Sequence, residues 1–194
     1  MYEIPTSVMV GNVRYNNRNN GDFRTILDCF SALNDVELSQ QERLFASLII
    51  FYEDLNSIED VNMFDDLSTA ISEMYKFFNC GSPITDNTRN YKLIDWEKDS
   101  QLISSAVNKV AGKEIRFEPY IHWWTFMGYY MSIGESPIST VISIRDKIMR
   151  GTKLEKHETK FRRENPQYFN WNSKTIEQME EDKLIHDLWN QGGE

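Results

Sequence analysis

Apolar residues recur along this chain at helical spacing almost from end to end. After an irregular start, Val8, Val10, Val13 and Tyr15 flank Gly11-Asn12, which predicts a small hairpin. The polar run Asn16 to Gly21 predicts an exposed loop. Asp22 then stands as an N-cap before Phe23, Ile26, Leu27 and Phe30, and Asn34-Asp35 stops that helix. Ser39 and Glu42 form a capping-box pattern. Behind them Leu44, Phe45, Leu48, Ile49, Phe51 and Tyr52 cover nearly the whole helical circumference, which predicts a central, surrounded helix. Ser57 caps a further helix, read as one element bearing Val61, Phe64, Leu67, Ile71, Met74, Tyr75 and Phe78 and ended by Cys80-Gly81-Ser82-Pro83.

Residues 82–92 are polar and either divide two helical lobes or merely join them. Three helical patterns follow. The first begins near Asp95 and ends at Gly112, the second runs from Pro119 to Ser132, and the third from Pro137 to Arg150. Ser136-Pro137, a cap followed by proline at the first helical position, is a strong start signal, and Gly151 closes the third helix. A last amphipathic helix is expected over Ser173 to Trp189. The expected architecture is all-α: a compact multi-helix domain with a small N-terminal extended hairpin segment and a C-terminal helical extension. The division falls at 1–150 for the helical core and 151–194 for the charged extension.

Composition narrows the function classes. The 194 residues are 40% hydrophobic and 13% aromatic, which suits a packed core. The formal net charge of −9 speaks against generic binding to nucleic acid or to an anionic membrane. Met1 to Pro5 has neither the basic nor the apolar region of a signal peptide. The apolar run Leu44 to Tyr52 is much shorter than the ~20 residues that span a bilayer, so the chain reads as cytosolic and soluble. Cys29 and Cys80 are expected as two buried free thiols on apolar helix faces.

Chemistry-bearing patterns are few. His122-Trp123-Trp124 admits a stacking platform, a cofactor pocket or a partner anchor, but its spacing favours core packing, with Gly128 letting a neighbouring helix approach. Arg145 stands among Val141, Ile142, Ile148 and Met149, and Asp99 among Trp96, Leu102 and Ile103. Charges in apolar seams need partners, so the two are candidates for a buried pair. The alternative, held level, has Arg145 reaching to the rim and Asp99 capping an edge.

His157-Glu158 begins like a zincin helix, but Lys160 and Phe161 follow where a second histidine is required. No phosphate-cradling or nucleophile-elbow motif is present, so no catalytic residue, metal or cofactor is expected. From Asp146 to Arg163 the bases Lys147, Arg150, Lys153, Lys156, Lys160, Arg162 and Arg163 outnumber the three acids. They are the candidate partner-binding residues, with a solvated helix face as the alternative. Glu53 to Glu73 contains seven acids and no base, so contact between the two regions, within a chain or head to tail between copies, is a further option.

One block of residues resembles a known family. Leu93-Ile94-Asp95-Trp96-Glu97-Lys98-Asp99, Leu102-Ile103, Tyr120-Ile121-His122-Trp123-Trp124-Thr125-Phe126 and Ile144-Arg145 are similar to the small tail-gene proteins of siphophages and prophages of Gram-positive bacteria. Val13-Arg14-Tyr15 and Asp22-Phe23-Arg24 add to the likeness, which spans residues 8–150. Those proteins are commonly regarded as tail-assembly chaperones, encoded between the major tail protein and the tape-measure protein. The resemblance implies a non-enzymatic role in the bacterial host cytoplasm, with the tape-measure protein as partner and the tail-tube subunit as a second candidate. It also implies absence from the mature virion. The alternatives are a structural virion component or head–tail adaptor and, lower, a nucleic-acid-binding regulator.

Overall fold

Local side-chain chemistry sets most of the helix ends. The computed structural model describes residues 3–62, 64–82 and 93–170. In chain order these form β1 (Ser7–Val10), β2 (Val13–Asn16), α1 (Phe23–Leu33), α2 (Gln40–Phe51), α3 (Ile58–Asn62), α4 (Leu67–Phe78), α5 (Ser100–Ala111), α6 (Trp123–Met131), α7 (Pro137–Met149) and α8 (Lys156–Glu164). Single 3-10 turns occur at Arg18–Gly21, Ile115–Phe117 and Pro166–Tyr168. The fold is thus mainly helical with one antiparallel hairpin, as expected from the periodicity. The predicted helix over Ser173 to Trp189 lies outside the described residues, as does most of the 82–92 segment.

The chain divides into two units, Met1–Asp86 with Val110–Ser132 and Asn87–Lys109 with Ile133–Glu194. In the first, the hairpin pairs Val10 with Val13 and Val8 with Tyr15 around Gly11, whose φ of +59° suits glycine. Asp22 accepts the Arg24 N–H and opens α1. Ser39 and Glu42 exchange both bonds of a capping box at the start of α2. No residue of α2 after Glu42 is exposed. Its C-terminal end is closed by Arg18, whose Nη2 donates to the carbonyls of Ile49, Tyr52 and Leu55 at 3.1, 3.1 and 2.6 Å. A cation there satisfies carbonyls that the helix cannot. Ile26, Cys29, Leu48, Phe51, Tyr52, Met74 and Trp123 form the centre of this unit's core.

In the second unit α7 starts at Ser136, which accepts the Ser139 N–H, with Pro137 at the first helical position. It ends in a Schellman-type closure: Gly151 takes φ +66° and Thr152 N–H reaches the Lys147 carbonyl at 2.8 Å. Ile138, Val141 and Ile144 are buried along α7, and Ile103 along α5.

Several expectations are corrected. The helix read from Ser57 to Phe78 is two helices, α3 and α4. Asp66 interrupts it by accepting both the backbone N–H and the hydroxyl of Thr69, at 2.8 and 2.6 Å. Aspartate competes with the helix interior in this way. The helix expected from near Asp95 begins at Ser100, because Trp96 to Asp99 form a turn. The aromatic helix starts at Trp123, not Pro119. Residues Tyr120 and Ile121 instead lie extended, and Ile121 exchanges bonds with Asp22 and Phe23. Cys80 is exposed, not buried. It sits past the end of α4 with φ +54°, at the left-handed position of a closure in which Gly81 N–H reaches the Lys76 carbonyl. Gly128 is exposed, and among the described residues nothing lies within 4 Å of where a Cβ would stand, so no helix approaches it closely.

Candidate interaction surfaces

The indoles of Trp123 and Trp124 are structural. They stand in the first turn of α6 and point their Nε1–H groups at the last turn of α4. Trp123 donates to the Phe78 carbonyl at 2.9 Å and Trp124 to the Phe77 carbonyl at 3.0 Å. Those carbonyls belong to a helix end, where the helix's own N–H donors run out, and the Phe77 carbonyl also accepts the Cys80 N–H at 3.0 Å. Two consecutive tryptophans therefore pin one helix terminus with the start of another. Trp123 is 1% exposed and packs against Phe30 and Phe126.

His122 completes this joint. Its Nδ1 accepts the Trp124 N–H at 3.0 Å, capping α6, and its Nε2 lies 3.0 Å from the Pro5 carbonyl. With Nδ1 accepting, the neutral ring carries its proton on Nε2 and donates it to Pro5. Burial pushes the imidazole below its ordinary pKa, against the opposing pull of the Pro5 carbonyl and the Asp22 carboxylate. Asp22 and Arg24 bind the other side. Asp22 Oδ2 accepts Ile121 N–H at 3.0 Å, and Phe23 N–H donates to the Ile121 carbonyl at 2.9 Å. The Arg24 guanidinium reaches the Glu118 carbonyl at 2.6 Å. Residues a hundred positions apart in sequence thus form one joint of the first unit.

Asp99 and Arg145 meet in the second unit. Their side chains are 0% and 1% exposed and form a two-point pair, Nη1 to Oδ2 at 2.5 Å and Nη2 to Oδ1 at 2.9 Å. Arg145 also donates to the Leu93 carbonyl at 2.8 Å and, from Nε and Nη2, to the Tyr168 carbonyl at 3.0 and 2.6 Å. All five of its N–H donors are used. Asp99 Oδ2 accepts a further bond from Asp95 N–H. One residue of α7 therefore ties down the turn before α5 and the 3-10 turn after α8. This is an assembly of bonds internal to the unit.

The basic run is partly neutralised. Lys147 pairs with Glu158 at 2.6 Å, Arg150 with Asp146 at 2.8 Å, and Lys160 lies 3.9 Å from Glu164. Lys147 and the Glu155 N–H hold the Glu158 carboxyl below the ordinary carboxylate range. Lys153, Lys156, Arg162 and Arg163 are exposed and have no carboxylate partner among the described residues.

Two features had no signal in the sequence pattern. Phe117 is 88% exposed and Met131 76% exposed, with Val110 and Tyr120 also exposed in the same unit. Phe117 projects from a 3-10 turn opened by Glu114, which accepts the Arg116 N–H. An open depression of about 560 Å³ is lined by residues including Arg18, Asn19, Thr25, Asp28 and Leu55, and burial raises the Asp28 pKa there. Among the described residues no group of three His, Cys, Asp or Glu side chains could hold a metal ion, and no helix is long and apolar enough to cross a membrane.

A family model described as Bacteriophage Gp15 protein matches residues 3–169. No curated protein and no solved structure matches the chain.

Proposed function

The chain belongs to the Bacteriophage Gp15 protein family, and on that premise we propose that it is a non-enzymatic assembly factor of phage tails. In this reading it binds the tape-measure protein in the host cytoplasm before the tail tube encloses it, and leaves before the particle matures. A long helical partner with apolar faces needs transient cover. The observation that carries the reading is the exposure of Phe117 and Met131, supported by Tyr120 and Val110, on a chain whose net charge is −9. Large apolar side chains left in water on an otherwise strongly charged protein suit anchoring in a partner's apolar surface. The acid excess keeps such a complex soluble and disfavours nucleic acid as the partner.

Co-expression with the tape-measure protein tests this. The chain should keep that protein in the supernatant and co-purify with it, and the double substitution Phe117→Ser, Met131→Ser should abolish both effects while leaving the circular dichroism spectrum unchanged. Mass spectrometry of purified particles supplies the second arm. The chain should be absent from them. Its recovery there in fixed stoichiometry would replace the proposal with a structural virion component or head–tail adaptor.

A further inference from the structure

Two sets of exposed charges of opposite sign are left unmatched by their own surroundings. In the second unit, α8 turns Glu158 and Phe161 inward, and at 100° per residue Lys156, Lys160 and Arg163 fall on the opposite, outward side. Of the run's bases, Lys153, Lys156, Arg162 and Arg163 have no carboxylate partner among the described residues. In the first unit, Glu53, Asp54, Glu59 and Asp65 are exposed across the end of α2, α3 and the start of α4, and none of them has a cationic partner among the described residues. Their neighbours differ: Asp60 accepts the N–H groups of Asn56 and Ser57, Asp66 caps α4, and Glu73 pairs with Lys76. The four unmatched acids therefore stand apart from those that the fold itself uses.

We propose that the outward face of α8 docks on the Glu53–Asp65 acidic surface of a second copy of this chain. The occupant follows from charge complementarity. The partner of α8 has to be acidic, the partner of the acidic surface has to be basic, and each copy carries both. A polyanion such as DNA would satisfy α8 alone and would meet repulsion from the net charge of −9. The two faces are different surfaces of one chain, so the contact is heterologous. Each copy retains one free face of each kind, and association continues into a ring or an open helical array. Such an array could line a long partner, but the self-association does not depend on the partner proposed above.

Analytical ultracentrifugation of the full chain at low ionic strength should give a mass that rises with concentration above the monomer value of 22.9 kDa. At ~1 M salt, where the screening length falls to ~3 Å, the protein should sediment as monomer. Two charge-reversed proteins make the decisive arm: Lys156→Glu, Lys160→Glu, Arg163→Glu, and separately Glu53→Lys, Asp54→Lys, Glu59→Lys, Asp65→Lys. Each alone should remain monomeric at low salt. Mixed one to one they should reassemble, because the reversed α8 of one fits the reversed acidic surface of the other. A wild-type monomer at every concentration and salt overturns the proposal. So does oligomerisation that either reversal leaves intact, a mixture that stays monomeric while both proteins retain wild-type circular dichroism, or a wild-type complex that forms only when DNA is added.

Discussion

Truncating Arg145 to alanine should remove much of the stability of the unit that contains it. The substitution deletes five hydrogen bonds of a side chain that is 1% exposed, and leaves the Asp99 carboxylate, 0% exposed, without its cation although the Asp95 N–H still donates to it. Breaking a buried pair from one side costs ~3–5 kcal/mol, because the stranded charge keeps its desolvation penalty and loses its compensation. The Leu93 and Tyr168 carbonyls lose donors as well, at ~1–3 kcal/mol for each that water cannot reach. Against a total stability of ~5–15 kcal/mol for a domain, such a loss is large. The double substitution Asp99→Leu, Arg145→Met separates the causes. It removes both charges and retains apolar volume, so it should recover most of the ~3–5 kcal/mol of the stranded charge, the residual deficit being the two carbonyls and the Asp95 N–H at ~1–3 kcal/mol for each that water cannot reach. Urea titrations followed by circular dichroism give all three free energies. A loss below ~1 kcal/mol for Arg145→Ala, or a double variant no more stable than the single one, would refute the stranded-charge reasoning.

Gly21→Ala should destabilise the first unit by ~1–3 kcal/mol, since φ is +74° there and the new Cβ would stand 2.7 Å from Phe77 Cζ and 3.2 Å from His122 Nε2; a urea midpoint equal to wild type would show that the joint yields. Of the two thiols only Cys80 should react quickly with a chromogenic disulfide reagent at pH 8. Cys29 is fully buried with its pKa pushed up to about 12, mainly by desolvation, so two fast equivalents per chain would contradict the packing. His122 should make stability pH-dependent. Its folded pKa is lowered, so the unfolded chain binds the proton more readily. The contribution is whole above the unfolded value of 6.5 and is lost as pH falls below that value towards the folded pKa. His122→Asn, which keeps a capping acceptor but does not ionise, should lose less stability than wild type between pH 7 and pH 5, and equal losses in paired urea titrations would count against this assignment.

What the sequence disclosed and what it hid follow the range of the interactions involved. Asp22, Ser39 with Glu42, Ser136 with Pro137, and Gly151 each act on backbone within a few residues, so their types and spacing suffice to mark helix ends. The hairpin around Gly11 is local in the same sense. The break before α4 was concealed because apolar periodicity runs on through Phe64 and Leu67 while only the Asp66 side chain, bonded to Thr69, stops the helix. The late start of α6 was concealed for the opposite reason. Tyr120 and Ile121 are kept extended by Asp22 and Phe23, about a hundred residues away, and no window along the chain contains both partners. Exposure of Phe117 has no periodic signature, because a three-residue turn, with Ile115 buried and Phe117 exposed, is too short to set a period.

This difference in range also bears on where binding can occur. Apart from Val13 to Tyr15 in the hairpin, most of the residues that carry the family likeness fall into two internal joints. Asp22, Phe23 and Arg24 meet Tyr120 to Trp124 in one unit, and Leu93 to Asp99 meet Arg145 in the other. His122, Trp123, Asp99 and Arg145 are at most 2% exposed and each is hydrogen-bonded within its own unit. A buried, satisfied hydrogen-bond network specifies how helices meet. Under the proposed function, recognition of a partner falls to side chains that these joints do not use. Those include the exposed apolar side chains of Phe117 and Met131 and the unmatched charges of Lys153 to Arg163 and of Glu53 to Asp65. Substitutions in the joints should accordingly change stability and binding together, while substitutions at the exposed positions should change binding alone. Parallel urea titrations and pull-downs on one variant from each class would separate the two, and an exposed-position variant that lost stability in proportion to binding would collapse the distinction.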